Sequence, residues 1–300
     1  MLLEIRNLIE QITDVLQLQL VDNLKEAPDM QLSYSEKKSM EKVIAEMYEV
    51  YQTFMETSNM PIYELHFKKK CNKNLELASV EYDQGIYHLY ISDEAYNRKN
   101  RKETLFHEFT HIYDKEYLNR EYHFTKGEDR KTYVYTEIHA EQIKFLYMLG
   151  AETLNSNLQK VNHNTMIYDM QGNKQSFYVY LQQFKRKLEK LYVNDIYKTQ
   201  CKKISTSKDK IGSMATDFLY YIGAVTIYKR ISDYQINSLI NMKNFDKCWN
   251  IKISDVLDFY LKHDLDKSSR STLKKIDIIN IGDIIMCELL GSAKVKYVVS

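Results

Sequence analysis

The chain predicts an α+β fold, mostly α, in which helices carry most of the length around one small mixed sheet. Three observations lead there. Only two prolines and eight glycines punctuate 300 residues, which favours long helices on short connections over a succession of strands and turns. Apolar residues recur at helical spacing over most of the chain, and alternation replaces that period only between Pro61 and about residue 92. Hydrophobic residues make up 44% of the total, enough to fill a sizeable core.

Taken in order, residues 1–59 read as an N-terminal helical segment packing on the core. Leu2, Leu3, Ile5, Leu8, Ile9, Ile12, Val15 and Leu16 give an amphipathic first helix, and a second runs from Ser35 to Met55. Residues 60–150 form the core unit. In PIYELHF, Ile62, Glu64 and His66 interleave with Tyr63, Leu65 and Phe67 as strand residues do, and LELASVEY and IYHLYIS flank Asp83-Gln84-Gly85, whose glycine supplies the positive φ of a hairpin turn. A helix follows from Asn100 to Glu116, then the charged connection KGEDRK (126–131), then the apolar helix YVYTEIHAEQIKFLYML, which stops before Gly150. Residues 151–300 read as an all-helical C-terminal region. Within it Phe177, Leu181, Phe184, Leu188 and Leu191 make one apolar seam, either a packing face or a dimerisation face, and Lys202–Lys210 reads as a linker.

Composition narrows the functional classes. Acids and bases nearly cancel, to a net charge of +1, and no segment carries the long single-sign run of a nucleic-acid arm. The basic runs KKKCNK (68–73) and NRKNRK (97–102) read as lysines and arginines solvating strand ends, not as a nucleic-acid surface. FLYYIGAVTIY (218–228) is far shorter than the roughly 20 residues of a membrane span and reads as a buried core helix. The start of the chain lacks the pattern of a signal peptide, and Cys71, Cys201, Cys248 and Cys287 are too dispersed for a disulfide scaffold or a zinc knuckle. Free thiols in a reducing, cytoplasmic setting are the expectation.

The chemistry concentrates in HEFTH (107–111). On a helix at 100° per residue, His107, His111 and Asp114 share one narrow sector, while Leu105, Phe106, Phe109, Ile112 and Tyr113 occupy the other side. Two imidazoles one turn apart can reach one metal ion. Glu108 lies about 100° round from His107, beside the metal position, where a carboxylate can take a proton from an activated water. A zinc site needs a third protein ligand, and the best candidate is Glu137, with Glu141 one turn on in the same apolar helix. Two carboxylates on a buried helix must meet a cation or a donor. A metal on Glu137, with Glu141 hydrogen-bonded to a ligand imidazole, satisfies both, and a buried salt bridge to Lys144 or Arg130 is the structural alternative. His139 points away from Glu137 and reads as a packed or surface histidine.

HEFTH followed by TEIHAE resembles the glutamate-ligand branch of the zincin metallopeptidases (gluzincins). Within it, HEFTHIYD and EIHAE look most like the ImmA/IrrE-type peptidases of phage and mobile elements and the catalytic domain of anthrax lethal factor. The resemblance covers residues 60–150. It implies a zincin-like core with an active-site helix, Zn2+ on His107, His111 and Glu137, and Glu108 as general base, with Glu141 and Asp114 in the outer shell. It further implies that an edge strand ahead of the active helix, here IYHLYIS, binds an extended peptide or protein substrate. Lethal factor carries an oxyanion-stabilising tyrosine two turns before its glutamate ligand. Arg130 stands there in this chain, and Tyr133 and Tyr135 are the nearby substitutes. The expected function is a zinc metallo-endopeptidase. The alternative is a non-catalytic zinc-binding sensor or protein-binding module, with the C-terminal helices recruiting a protein partner.

Overall fold

The computed structural model describes residues 24–70, 77–123, 132–156, 162–168, 173–191, 208–242, 253–262 and 278. The first amphipathic helix, the four cysteines, Arg130 with the KGEDRK connection, and residues 202–207 of the polar stretch lie outside these residues.

Helix α1 (Tyr34–Phe54) starts where Ser33 and Glu36 cap it reciprocally: the Ser33 hydroxyl accepts from the Glu36 amide and the Glu36 carboxylate accepts from the Ser33 amide. Its buried side holds Ile44, Met47, Tyr48, Tyr51 and Phe54 at helical spacing. Three strands follow, β1 (Tyr63–Lys68), β2 (Ala78–Asp83) and β3 (Ile86–Ser92). β2 and β3 form the expected hairpin, with Asp83 opposite Ile86 across a two-residue turn. Gln84 and Gly85 both take positive φ, 48° and 90°, as a turn matched to the strand twist requires.

The sheet order is β1-β3-β2, with β1 parallel and β2 antiparallel to β3. This corrects one expectation. IYHLYIS is the central strand, its backbone committed on both sides, so it cannot take an extended substrate as an added strand. The edges are β1 and β2. Residues 28–30 partly cover β1, with Met30 N–H donating to the Phe67 carbonyl and Lys69 N–H to the Pro28 carbonyl.

After the short helix α2 (Asp93–Asn97), helix α3 (Arg101–Tyr122) carries HEFTH and runs further than the sequence suggested. The run NRKNRK falls at the α2–α3 junction and not at a strand end. Its Arg98 pairs with Glu94, and Arg101 donates to the Tyr96 carbonyl at 2.9 Å. Leu105, Phe106, Phe109 and Ile112 form the apolar back of α3, fully buried as predicted. Edge-to-face contacts join Phe106 and Phe109 to Tyr51.

Helix α4 (Tyr133–Met148) packs along the polar face of α3, and α6 (Lys208–Ile231) packs along α4 on another side. This double cover explains why α4 is buried around nearly its whole circumference. The close approach of α6 depends on Gly223. A Cβ there would stand 2.8 Å from Glu141 Cβ and 2.8 Å from the Ile138 carbonyl oxygen. Helix α6 begins at Lys208, so the last residues of the proposed linker are helical. Its Phe218–Tyr228 stretch is core, as expected, and no helix among the described residues is long and apolar enough to cross a membrane.

The C-terminal region is not all helical. Strands β4 (Met166–Tyr168) and β5 (Lys174–Ser176) pair antiparallel before α5 (Phe177–Leu191). Three-residue strands are too short to show alternation, which is why periodicity missed them. Phe177, Leu181 and Leu188 of the α5 seam are buried and Phe184 packs at its margin, all toward this chain's own core. Short helices α7 (Ile236–Ile240) and α8 (Ile253–Lys262) also pack on α6, and one hydrophobic cluster runs from Met40 to Ile278.

Candidate metal centre

Helices α3 and α4 cross antiparallel, so the earlier histidine of α3 faces the later glutamate of α4. His107 Nδ1 lies 3.3 Å from Glu141 Oε2, and His111 Nε2 lies 3.5 Å from Glu137 Oε1. Glu137 reaches both rings, its Oε2 also standing 3.5 Å from His107 Nε2, and the two Nε2 atoms are 3.2 Å apart. Three ligand atoms on a tetrahedral zinc ion, with bonds of 2.0–2.1 Å, would be separated by about 3.3 Å. The three side chains named from sequence therefore converge at metal-ligand spacing.

Whether the residues want an ion is decided by what else satisfies them. Among the described residues, Glu137 Oε2 and His107 Nδ1 are buried with no hydrogen-bond partner, although Glu141 Oε2 stands 3.3 Å from Nδ1. Glu141 is compensated differently, with Lys144 Nζ 2.8 Å from each of its oxygens. The Lys144 salt bridge foreseen as the structural alternative is made by Glu141; among the described residues the ion pairs of Glu137 are with the two imidazoles, and Arg130 lies outside those residues. An orphaned buried carboxylate oxygen beside two ring nitrogens is a donor set that a divalent cation fits.

The electrostatics agree. Burial works against charge on every group here. It is outweighed at His107, where Glu137, Glu141 and Glu108 raise the imidazole to about 10. At His111 burial dominates and pushes the ring down to about 4. Burial likewise opposes ionisation of Glu137, and the imidazoles more than reverse it, leaving its carboxyl below the ordinary range. Glu108 is raised to about 7, first by burial and then by the Glu137 charge, against His107 and Lys144. Three acids share the site with one committed lysine, so a proton drawn on to His107 partly balances the surplus. A metal ion would displace it.

Asp114, expected in the outer shell, accepts from His139 instead, with Nδ1 2.7 and 2.8 Å from its two oxygens. It acts on His111 only through its charge. His139 is the packed histidine the sequence suggested. Tyr135 stacks on His139 with ring centroids 5.8 Å apart, on the opposite face of α4 from Glu137. Tyr133 keeps its hydroxyl 3.3 Å from Thr216 Oγ1 on α6.

Sequence reasoning missed Tyr220. One turn beyond Thr216 on α6, it stands edge-on to His107 at 5.2 Å between centroids. Burial, then the charges of Glu137, Glu141, Tyr133 and Glu108, hold its phenol well above the ordinary value, so it stays protonated. No local signal marks it among 25 tyrosines. Only the packing of α6 on α4 brings it here. Comparison with protein-family models, with curated proteins and with solved structures finds no match to this chain.

Proposed function

We propose that this chain is a zinc-dependent metallo-endopeptidase, with His107, His111 and Glu137 as the metal ligands. The observation that carries the reading is the Glu137 carboxylate, buried, 3.5 Å from both imidazoles, with its Oε2 lacking a hydrogen-bond partner among the described residues. A zinc ion held by these residues supplies Lewis acidity, which lowers the pKa of a water molecule and polarises a peptide carbonyl.

The protein's own groups do the remaining work. Glu108, raised to about 7, is poised near neutrality to take a proton from the attacking water and to pass it to the amine nitrogen as the C–N bond breaks. Tyr220, kept as a neutral phenol, donates toward the carbonyl oxygen as negative charge develops there. Lys144 and Glu141 hold one another, keeping a carboxylate oxygen 3.3 Å from His107 Nδ1.

Replacing Glu108 with Gln keeps shape and hydrogen bonding but removes the base. The expected result is unchanged zinc content with cleavage of a random peptide library lowered by about 10²- to 10⁴-fold. Equal cleavage by E108Q rejects the mechanism. The depth of the site favours a second reading: His107, Glu108 and Glu137 are each less than a tenth exposed, beneath α6. A zinc-binding sensor or protein-binding module needs no substrate channel. Stoichiometric zinc with no cleavage of the library by the wild type selects that reading.

A further inference from the structure

The outer face of the sheet holds a second group of ligand-type side chains. Register places Glu64 of β1 directly across from His88 of β3, and His66, two residues on, projects from the same face. His66 Nε2 and His88 Nδ1 are 3.1 Å apart. Glu64 Oε2 lies 3.4 Å from His88 Nδ1 and 3.9 Å from His66 Nε2. These separations bracket the roughly 3.3 Å edge expected of nitrogen and oxygen ligands around tetrahedral zinc.

The surroundings favour a cation in that space. Lys68, the nearest ammonium on β1, is engaged by Asp29 at 2.8 Å, and Lys25 by Glu81 at 2.9 Å, so neither fills the cluster. His66 stacks on Tyr90, its partner in register, with centroids 4.8 Å apart and planes 21° from parallel, which fixes the ring. A direct contact between two imidazole nitrogens uses one proton to join two lone-pair sites; an ion between them would engage both, and the carboxylate as well. The side chains of Glu64, His66 and His88 are 56%, 33% and 19% exposed, so an ion can enter from solvent.

We propose that Glu64, His66 and His88 form a second, solvent-facing site for a borderline transition-metal dication such as Zn2+. It is separate from the buried centre, and it clamps edge strand β1 to the central strand β3.

The test is equilibrium dialysis of the full chain against Zn2+, with bound metal counted by elemental analysis. The wild type should bind one more ion than H66A/H88A, and H111A/E137A should retain that additional ion, so the two centres are counted independently. H88Q, which keeps a polar partner for His66 but removes an imidazole ligand, should lose the same equivalent with far-ultraviolet circular dichroism unchanged. Equal zinc uptake by the wild type, H66A/H88A and H88Q would overturn the proposal, whatever the buried centre does.

Discussion

The two helices that cross at the centre of this protein hold two histidine–carboxylate groups, and the difference between them separates a structural pair from a site. Asp114 and His139 are 1% and 2% exposed and bond at 2.7 and 2.8 Å, so acid and base satisfy each other. His107, His111 and Glu137 come from the same helices at similar depth, yet stand 3.2 to 3.5 Å apart with buried atoms left unpaired. Folding can accommodate the first arrangement unaided. The second leaves buried polar atoms that an ion would engage. Each group also has a tyrosine companion, Tyr135 stacked on His139 and Tyr220 edge-on to His107.

The largest effect expected from breaking this contrast is on stability. Asp114→Ala removes the carboxylate bound to buried His139 Nδ1 and should cost about 3–5 kcal/mol in denaturant unfolding, with zinc content unchanged in the folded fraction. Glu137→Ala, measured in chelator, should cost less than Asp114→Ala, because its 3.5 Å contacts with the imidazoles are longer than the 2.7 Å Asp114–His139 bond. Reversed magnitudes would make Asp114–His139 the functional pair.

The tyrosines sharpen the contrast next. Y220F should lower turnover of a peptide substrate by about 10²- to 10³-fold at constant zinc content, whereas Y135F should leave turnover unchanged. Equal losses would deny Tyr220 any special role.

The helix that brings Tyr220 depends on Gly223. G223A forces a methyl group against backbone and Glu141 and should cost about 1–3 kcal/mol, seen as an earlier unfolding midpoint. No change would mean that α6 does not press on α4 as described.

The smallest effect concerns Glu103, one turn before His107. Burial raises its carboxyl pKa, and its Oε2 lacks a hydrogen-bond partner among the described residues. A raised folded-state pKa favours the native protein at pH below the ordinary glutamate value, and that contribution fades as pH rises through the folded value. E103Q should therefore be slightly more stable than the wild type at neutral pH, by less than about 1 kcal/mol, and the gap should close near pH 4. A gap that persists there would assign the effect to packing.

Much of this was legible locally. The metal-facing side of HEFTH and its apolar back follow from the 100° step of a helix, Glu137 from the cost of a carboxylate on an apolar helix, and Asp83-Gln84-Gly85 announced its turn through residue chemistry. What escaped depends on partners distant in sequence. The central position of IYHLYIS follows from parallel pairing with β1, which no local alternation encodes. Asp114 shares a helical sector with His107 and His111, yet α4 presents His139 to it. Tyr220 reaches the site from a helix more than 70 residues downstream of Glu137, through a contact set by the single missing side chain of Gly223.

Bound zinc in a chain whose sheet-face histidines are replaced (H66A/H88A) bears most directly on the claim that His107, His111 and Glu137 hold an ion. One tightly held equivalent, lost on adding E137A while helical content is unchanged, is the expected result. The same zinc content with and without Glu137 would contradict it.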